Sequence, residues 1–434
     1  MRVFCLSLGC AKNQVDSECL AGALTAAGHV VVECAEDADC AIVNTCGFIR
    51  PAVEESISAL LDLEELKKGK KLKKIGVVGC LVNRYGEDLL SKEVPTVDFW
   101  AKSEEWGKVL ASLGTPLPDA RRRGILPSVP KFSRYLKISE GCDNRCTYCA
   151  IPSIRGSLRS LPMSVIVDEA CGLAENGAKE ICVVGQDLTS YGMDFGGKEN
   201  LLTLLDELER SLPKDIWLRL LYLHPERVNR HLLERVAAGR QIVPYLDVPV
   251  QHGDETILTA MNRAMDPKRL LSVFAEAREI NPEFALRTTC MVGFPGEKKK
   301  HFDNLVSFIR EAKFDRMGAF TFFAEEGTKA AEMENKVSER TKLRRLDTLM
   351  TVQEEISLQR QEIFVGKRLK VLVEKVNNGE GYAEGRSFRE APDVDGVIEI
   401  SEISDDIREG DFVTVKITGA MPHDLTGEIA DDIA

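Results

Sequence analysis

Three cysteines fall within eight residues in the stretch GCDNRCTYC, Gly141 to Cys149. Cys142, Cys146 and Cys149 form C-x-x-x-C-x-x-C directly after a strand-like run, on a loop that also carries Gly141 and Asn144. Such a loop can bend three thiolates toward one centre. Soft thiolates select zinc or iron-sulfur clusters. A closed structural zinc site wants four ligands, and no nearby Cys or His completes this set, whereas three ligands on a four-iron cube leave one iron open. An open iron can bind a small ligand directly and pass it one electron. Buried cysteines at chance spacing fit poorly with so polar a loop.

A second set lies upstream. Cys10 ends RVFCLSLGC, Cys46 ends CAIVNTC and Cys80 ends KIGVVGC, so each sits at the carboxyl end of an expected strand. In a parallel sheet those ends face the same side, and residues far apart in the chain converge there. A second three-thiolate site is therefore geometrically plausible, although a small buried Cys at a strand end is common. Cys5, Cys19, Cys34, Cys40, Cys171, Cys182 and Cys290 fall on strands or helix faces and read as core or surface residues.

The elements that would position both sets follow from the hydrophobic pattern. Over residues 1–118 short β-rich runs alternate with amphipathic helical stretches, which predicts an N-terminal α/β domain on a parallel sheet. Residues 119–133, containing Pro and Arg, read as a linker. Over 134–335 six strands are expected, RYLKISE, EICVVG, IWLRLLYL, YLDVPVQ, ALRTTCMVG and RMGAFTFF. With helices between them they predict a six-stranded partial (βα)6 barrel of TIM-like form, whose chemistry gathers at the carboxyl ends of the strands. A charged helix over 336–365 leads to four strand-like runs in 366–434, LKVLVEKV, GYAEGRS, GVIEIS and DFVTVKITGA, expected to form a small antiparallel β-barrel.

Composition narrows the function. The 434 residues hold 57 Lys+Arg against 69 Asp+Glu, a net charge of -12, which argues against a tight grip on nucleic acid over the whole surface. Residues 366–434 contain 8 basic and 16 acidic residues, a poor match to an RNA backbone and a good one to a basic protein. The run KKGKKLKK, Lys67 to Lys74, reads as a solvated turn. No apolar stretch is long enough to span a bilayer and MRVFCLSLGCAKNQ is unlike a signal peptide. A cytoplasmic protein with no membrane contact is expected. Thirteen cysteines, an odd number, then suggest metal ligands and reduced thiols rather than disulfides.

The Cys142 loop resembles the signature of the radical S-adenosylmethionine (SAM) superfamily, whose partial barrel matches the six expected strands. With both cysteine sets, the whole chain is similar to the radical SAM methylthiotransferase family, which has an N-terminal cluster domain, a radical SAM barrel and a C-terminal TRAM barrel. SLGCAKNQVDSE, the stretch Gly141 to Arg159, VPVQHGD and GRSFREAPDVDG resemble the members that modify a small-subunit ribosomal protein more than those that modify tRNA. The resemblance implies two 4Fe-4S clusters, held by Cys10, Cys46 and Cys80 and by Cys142, Cys146 and Cys149, with SAM as both methyl donor and radical source. It implies no catalytic residue beyond these ligands.

It further implies SAM contacts at Tyr148, at Gly185, Gln186 and Asp187 after the second barrel strand, at Gln251, at Arg287 and at Gly293 in VGFPGE. Arg287 has an alternative role as an ion-pair partner, and GFPGE one as a turn. The implied reaction places a methylthio group on the β-carbon of an aspartate in small-subunit ribosomal protein 12, with an external electron donor and with tRNA disfavoured. A C-H bond of that kind has no useful acidity, so a side-chain base could not open the reaction and a radical is needed. The sequence departs from the family at Phe322 and Phe323, where Tyr and Ser are usual, and at the KKK after GFPGE.

Overall fold

The computed structural model describes residues 1–430 apart from 70, 120, 121, 197, 264, 378 and 380. Lys70 of the lysine run, residues 120 and 121 of the linker and the last four residues of the C-terminal segment thus lie outside the described residues.

The N-terminal strands β1 (Arg2–Ser7), β2 (Val30–Val32), β3 (Cys40–Thr45), β4 (Lys74–Gly79) and β5 (Phe99–Ala101) form one sheet in the order β2-β1-β3-β4-β5. Every pairing is parallel. All six residues of β3 are buried, as expected of a central parallel strand covered on both faces. The flanking strands β2 and β5, three residues each, are too short to carry a strand signature. Helices α1 (Ala11–Ala26), α2 (Arg50–Lys68) and α3 (Cys80–Tyr85) follow β1, β3 and β4. Pro51 sits in the first turn of α2, where its missing N-H costs nothing.

The central strands are β6 (Ser133–Lys137), β9 (Glu180–Val184), β10 (Trp217–Leu220), β11 (Tyr245–Asp247), β12 (Ala285–Val292) and β13 (Arg316–Thr321). They pair in parallel within two groups of three, and a bridge between Leu218 and Ile242 joins the groups. The partial barrel anticipated from six runs is therefore present. A short hairpin of β7 (Ser139–Glu140) and β8 (Arg159–Ser160) closes the base of the cysteine loop. Ala11, Val15 and Cys19 of α1 pack with Tyr135, Val184 and Tyr245 from the barrel strands, so the N-terminal unit supplies part of the barrel's interior packing.

Residues 122–126 do more than link. Gly124 donates its N-H to Glu18 O at 2.9 Å, and a Cβ on it would fall 2.6 Å from Gly22 N. Arg123 joins Glu18 to Glu169 and donates to Tyr135 O, and Leu126 is buried in the N-terminal core. The segment is a packed strap between two units.

The long helix Glu339–Glu362 lays Leu349, Val352 and Ile356 onto the barrel core. Strands β14 (Arg368–Asn377), β15 (Tyr382–Arg386), β16 (Ile398–Ser401), β17 (Phe412–Ala420) and β18 (Leu425–Ile429) then close into a barrel in the order β14-β15-β16-β18-β17. β16 and β18 run parallel while the other pairings are antiparallel. The small barrel expected from four runs is present, with two corrections: it has a fifth strand, and one pairing is parallel. The short β18, LTGEI, carries Gly427 at its centre and so little strand signal.

The loop after β15 turns back into the central barrel at the amino ends of its strands. Phe388 and Ala391 join the interior cluster. Tyr135 donates to Asp393 at 2.9 Å and Tyr245 to Asp395 at 2.5 Å, while Arg219 donates to Phe388 O at 2.7 Å. No helix among the described residues is long and apolar enough to cross a membrane.

Candidate active site

All six cysteines of the two sets line one cavity of about 350 Å³. It lies where the carboxyl ends of the N-terminal sheet meet the carboxyl ends of the central barrel. Cys10 caps α1, Cys46 follows β3 and Cys80 opens α3. Two glycines allow these turns. Gly9 has φ +89° and a Cβ there would lie 2.7 Å from Cys46 Cβ, while Gly79 has φ +100° and would meet Asn44 Oδ1 at 2.2 Å. Asn13, wholly buried, ties the ends of β1 and β3 by donating to Leu8 O at 2.9 Å and Thr45 O at 3.0 Å.

The other three cysteines sit on a loop held from both sides. Gly141 has φ +72°, and any Cβ would fall 2.0 Å from Ser157 O, so only glycine permits that close approach. Cys142 N donates to Gly156 O, Thr147 N to Met261 O and Cys149 N to Cys146 O, all at 3.1 Å. Tyr148 lines the cavity and packs into an apolar cluster with Met261, Phe294 and Phe322.

Burial pushes the Cys80 thiol up to about 11, although Arg155, whose Nε donates to its sulfur at 3.1 Å, pulls the other way. Burial likewise pushes Cys149 up to about 12. Such thiols ionise at neutral pH only against a positive partner, and metal ions are the usual one. Burial and Arg263 hold His224 down near 3, leaving a neutral ring in the wall.

Gln186, Asp187 and Gln251 of the expected SAM contacts line the cavity with Tyr148. Gln186 Nε2 donates to Glu140 at 3.0 Å, while Gln186 Oε1, Gln251 Oε1, His224 Nδ1 and Arg263 Nε are buried without a partner. Four orphaned polar atoms in one wall fit a polar ligand. Asp187 is already engaged, accepting from Asn144 at 2.7 Å and pairing with Arg227. Gly185 stands at the edge, where its carbonyl accepts from Lys12 Nζ at 3.5 Å.

Arg287 and Gly293 are not brought to the cavity. Arg287 pairs with Asp247 at 2.9 Å and Asp395 at 3.3 Å, which is its ion-pair alternative. Gly293 N donates to Glu297 at 2.6 Å, and its α-carbon packs against Lys342 of the long helix, so GFPGE is a turn closed by its own glutamate. Among the seven cysteines read as core or surface, none lines the cavity. Phe322 is buried edge-on to Phe294 and Phe323 is exposed.

Residues that sequence reasoning missed are Lys12, Asn13, Arg155, Tyr222, His224 and Arg263. Lys12 and Asn13 carried a signal, being polar residues in the first turn of a helix opened by a proposed ligand. Tyr222 had none, because its positive φ of +66° is invisible in composition.

Comparison with known proteins agrees with this architecture. Residues 2–102 match the uncharacterized protein family UPF0004, 136–309 the radical SAM superfamily and 365–430 the TRAM domain. Among solved structures, the radical SAM methyltransferase TsrM from Kitasatospora setae covers 74% of each chain at 15% identity and TM-score 0.53. The cobalamin-dependent SAM radical enzyme OxsB covers 82% of this chain and 56% of its own at 11% identity and TM-score 0.51. At those identities the likeness is one of fold. Fold and cysteine loop together define an enzyme of the radical SAM superfamily, dependent on iron-sulfur and SAM chemistry.

Sequence relatives narrow this further. The ribosomal protein uS12 methylthiotransferase RimO of Carboxydothermus hydrogenoformans is 40% identical over 100% of both chains. That of Anaeromyxobacter sp. strain Fw109-5 is 42% identical over 99% of this chain and 93% of its own, and that of Aquifex aeolicus 41% over 98% and 97%. The chain belongs to the RimO methylthiotransferase family.

Proposed function

We propose that this enzyme places a methylthio group on the β-carbon of an aspartate in small-subunit ribosomal protein uS12, using two 4Fe-4S clusters and two molecules of SAM. The observation that carries this reading is the convergence of two cysteine trios, one from each sheet, on a single cavity. In the proposal Cys142, Cys146 and Cys149 hold one cluster and Cys10, Cys46 and Cys80 the other. Bound there, the clusters and SAM would supply an electron, a radical able to take a hydrogen from carbon, and the sulfur and methyl that replace it.

The chain's own residues then bind and orient. The orphaned atoms of Gln186, Gln251 and Arg263 offer hydrogen bonds to the polar groups of SAM, and Tyr148 offers a face for its adenine. Arg155, donating to Cys80, offsets thiolate charge in the N-terminal trio. Arg287 and Gly293 act one step back, by fixing strand ends and the long helix. The chain divisions at 118, 134, 335 and 366 belong to the same proposal and are supported by the three family matches.

The acidic C-terminal segment supports a basic protein rather than tRNA as partner; an external reductant and a cytoplasmic setting belong to the same proposal. The test is incubation of reconstituted enzyme, SAM and a reductant with uS12 and with tRNA separately. Mass gain of one methylthio group on uS12 supports the reading. Gain on tRNA alone overturns it.

A further inference from the structure

The carbon modified in that reading carries a carboxylate as its neighbour, and the role of Lys12 inferred from the cavity rests on that reading. Seating an aspartate side chain among the cysteines takes an anion out of water, which is costly unless a cation meets it. Among the described residues three cations line the cavity, Lys12, Arg155 and Arg263. Arg155 is committed, pairing with Asp16 at 2.7 Å and Glu140 at 3.2 Å. Arg263 donates to Pro249 O at 2.5 Å and lies near Tyr148, Cys146 and the Asp187 carboxylate, on the side where SAM contacts are proposed.

Lys12 differs from both. It lies two residues after Cys10 in the first turn of α1, yet its Nζ reaches across to the barrel, 3.5 Å from Gly185 O and 3.9 Å from the centre of the Tyr222 ring. Among the described residues it forms no ion pair, and Glu140 attracts it only from farther off. Its ammonium is thus held in the wall of the cavity that both cysteine trios line, by an aromatic face and one carbonyl. Both contacts can persist when an anion arrives, since a cation over a ring keeps donor hydrogens free. Tyr222 is itself fixed: its N-H donates to Asp247 at 2.9 Å, and Asp247 is anchored by Arg287.

We propose that Lys12 receives the carboxylate of the substrate aspartate and so selects aspartate over its uncharged isostere, placing the β-carbon between the two trios. An asparagine at the target position would leave a buried ammonium unpaired, which discriminates by loss rather than by clash. Lys12 here is a substrate-binding residue, and its contribution reads out in affinity before any chemistry.

The test is a binding cycle on cluster-loaded enzyme. Wild type, Lys12→Gln and Lys12→Arg are titrated with uS12 carrying either the target aspartate or asparagine at that position, and the Kd ratio is compared. Wild type should prefer aspartate by about tenfold or more, in line with desolvated charge pairs at protein interfaces. Lys12→Gln should bind both alike, and Lys12→Arg should recover much of the preference. If Lys12→Gln does not fold, Lys12→Met makes the same comparison. An unchanged ratio in the glutamine or methionine variant, or a ratio that collapses in Arg263→Gln instead, overturns the proposal. Wild-type enzyme that methylthiolates uS12 without showing this coupling sinks only the role of Lys12; wild type that forms no such product removes the functional reading as well.

Discussion

At the amino ends of the barrel strands Arg219, Arg316, Arg386 and Arg389 each meet a carboxylate, whereas at the carboxyl ends Arg155 and Arg227 do so but Lys12 and Arg263 form no ion pair among the described residues. The lower end is crowded with fixed charge. Glu180 accepts from Arg219 at 2.8 Å and Arg386 at 2.6 Å, Arg316 pairs with Glu390 at 2.7 Å and Arg389 with Asp315 at 3.5 Å. These pairs lock the C-terminal segment into the floor of the barrel. Among the described residues both ends keep buried polar atoms without partners, Arg316 Nε, Arg386 Nε and Arg389 Nε and Nη1 below and Gln186 Oε1, Gln251 Oε1, His224 Nδ1 and Arg263 Nε above, but it is the upper residues that line the cavity walled by cysteines. Unmet polar groups destabilise a fold unless something else completes them. The contrast teaches that one end of the barrel is built to hold the chain together and the other to receive ligands.

The largest expected effect is at the upper end and is chemical. Cys146→Ala should reduce SAM cleavage to background, whereas Cys46→Ala should keep cleavage and lose methylthio product; 5'-deoxyadenosine and product masses measured side by side would show it. Equal loss of both activities in both variants would erase the distinction between the trios.

At the lower end the effect should be one of stability. Glu180→Ala leaves the buried Arg219 guanidinium without its carboxylate and Arg386 with Glu374 alone and should cost about 3–5 kcal/mol in denaturant unfolding, while the folded fraction still cleaves SAM. A loss below about 1 kcal/mol would mean that the floor is not held by this pair.

A pH titration refines the same point. Burial alone would raise the Glu180 pKa, but Arg386 and Arg219 outweigh it and hold the carboxyl at about 2, below the ordinary 4.5. A depressed folded value gives stability that is complete above 4.5 and lost as pH falls toward 2. Unfolding free energy should therefore decline over that window, and Glu180→Gln should flatten the decline.

The smallest effect belongs to Tyr135→Phe, which removes one hydrogen bond to Asp393 and should cost about 1 kcal/mol by thermal unfolding, with product yield unchanged.

Much of the upper end could be read along the chain. The cysteine positions, the six barrel strands and the long helix each leave a local signature, because thiol spacing and hydrophobic period are properties of neighbouring residues. The lower end could not be read in this way. The words of GRSFREAPDVDG stand out, but nothing in them tells that Arg386 meets Glu180 across 206 positions or that Asp395 claims Arg287. The resemblance accordingly expects Arg287 near SAM, with an ion-pair role as the alternative, and the partners that favour the alternative, Asp247 and Asp395, come together only in the fold. The short strands β2, β5 and β18 were missed for a different reason, having too few residues for a period to develop. Lys12 stood next to a proposed ligand, yet its meaning depends on the ring of Tyr222, which the fold alone brings over.

The central claim is that each trio holds its own iron cluster, and anaerobic reconstitution with iron and sulfide counts tests it most directly. Wild type should bind about eight irons and eight sulfides per chain, and Cys146→Ala and Cys46→Ala about four of each. Zinc alone in the fully loaded protein, or loss of all iron from either variant, would contradict it.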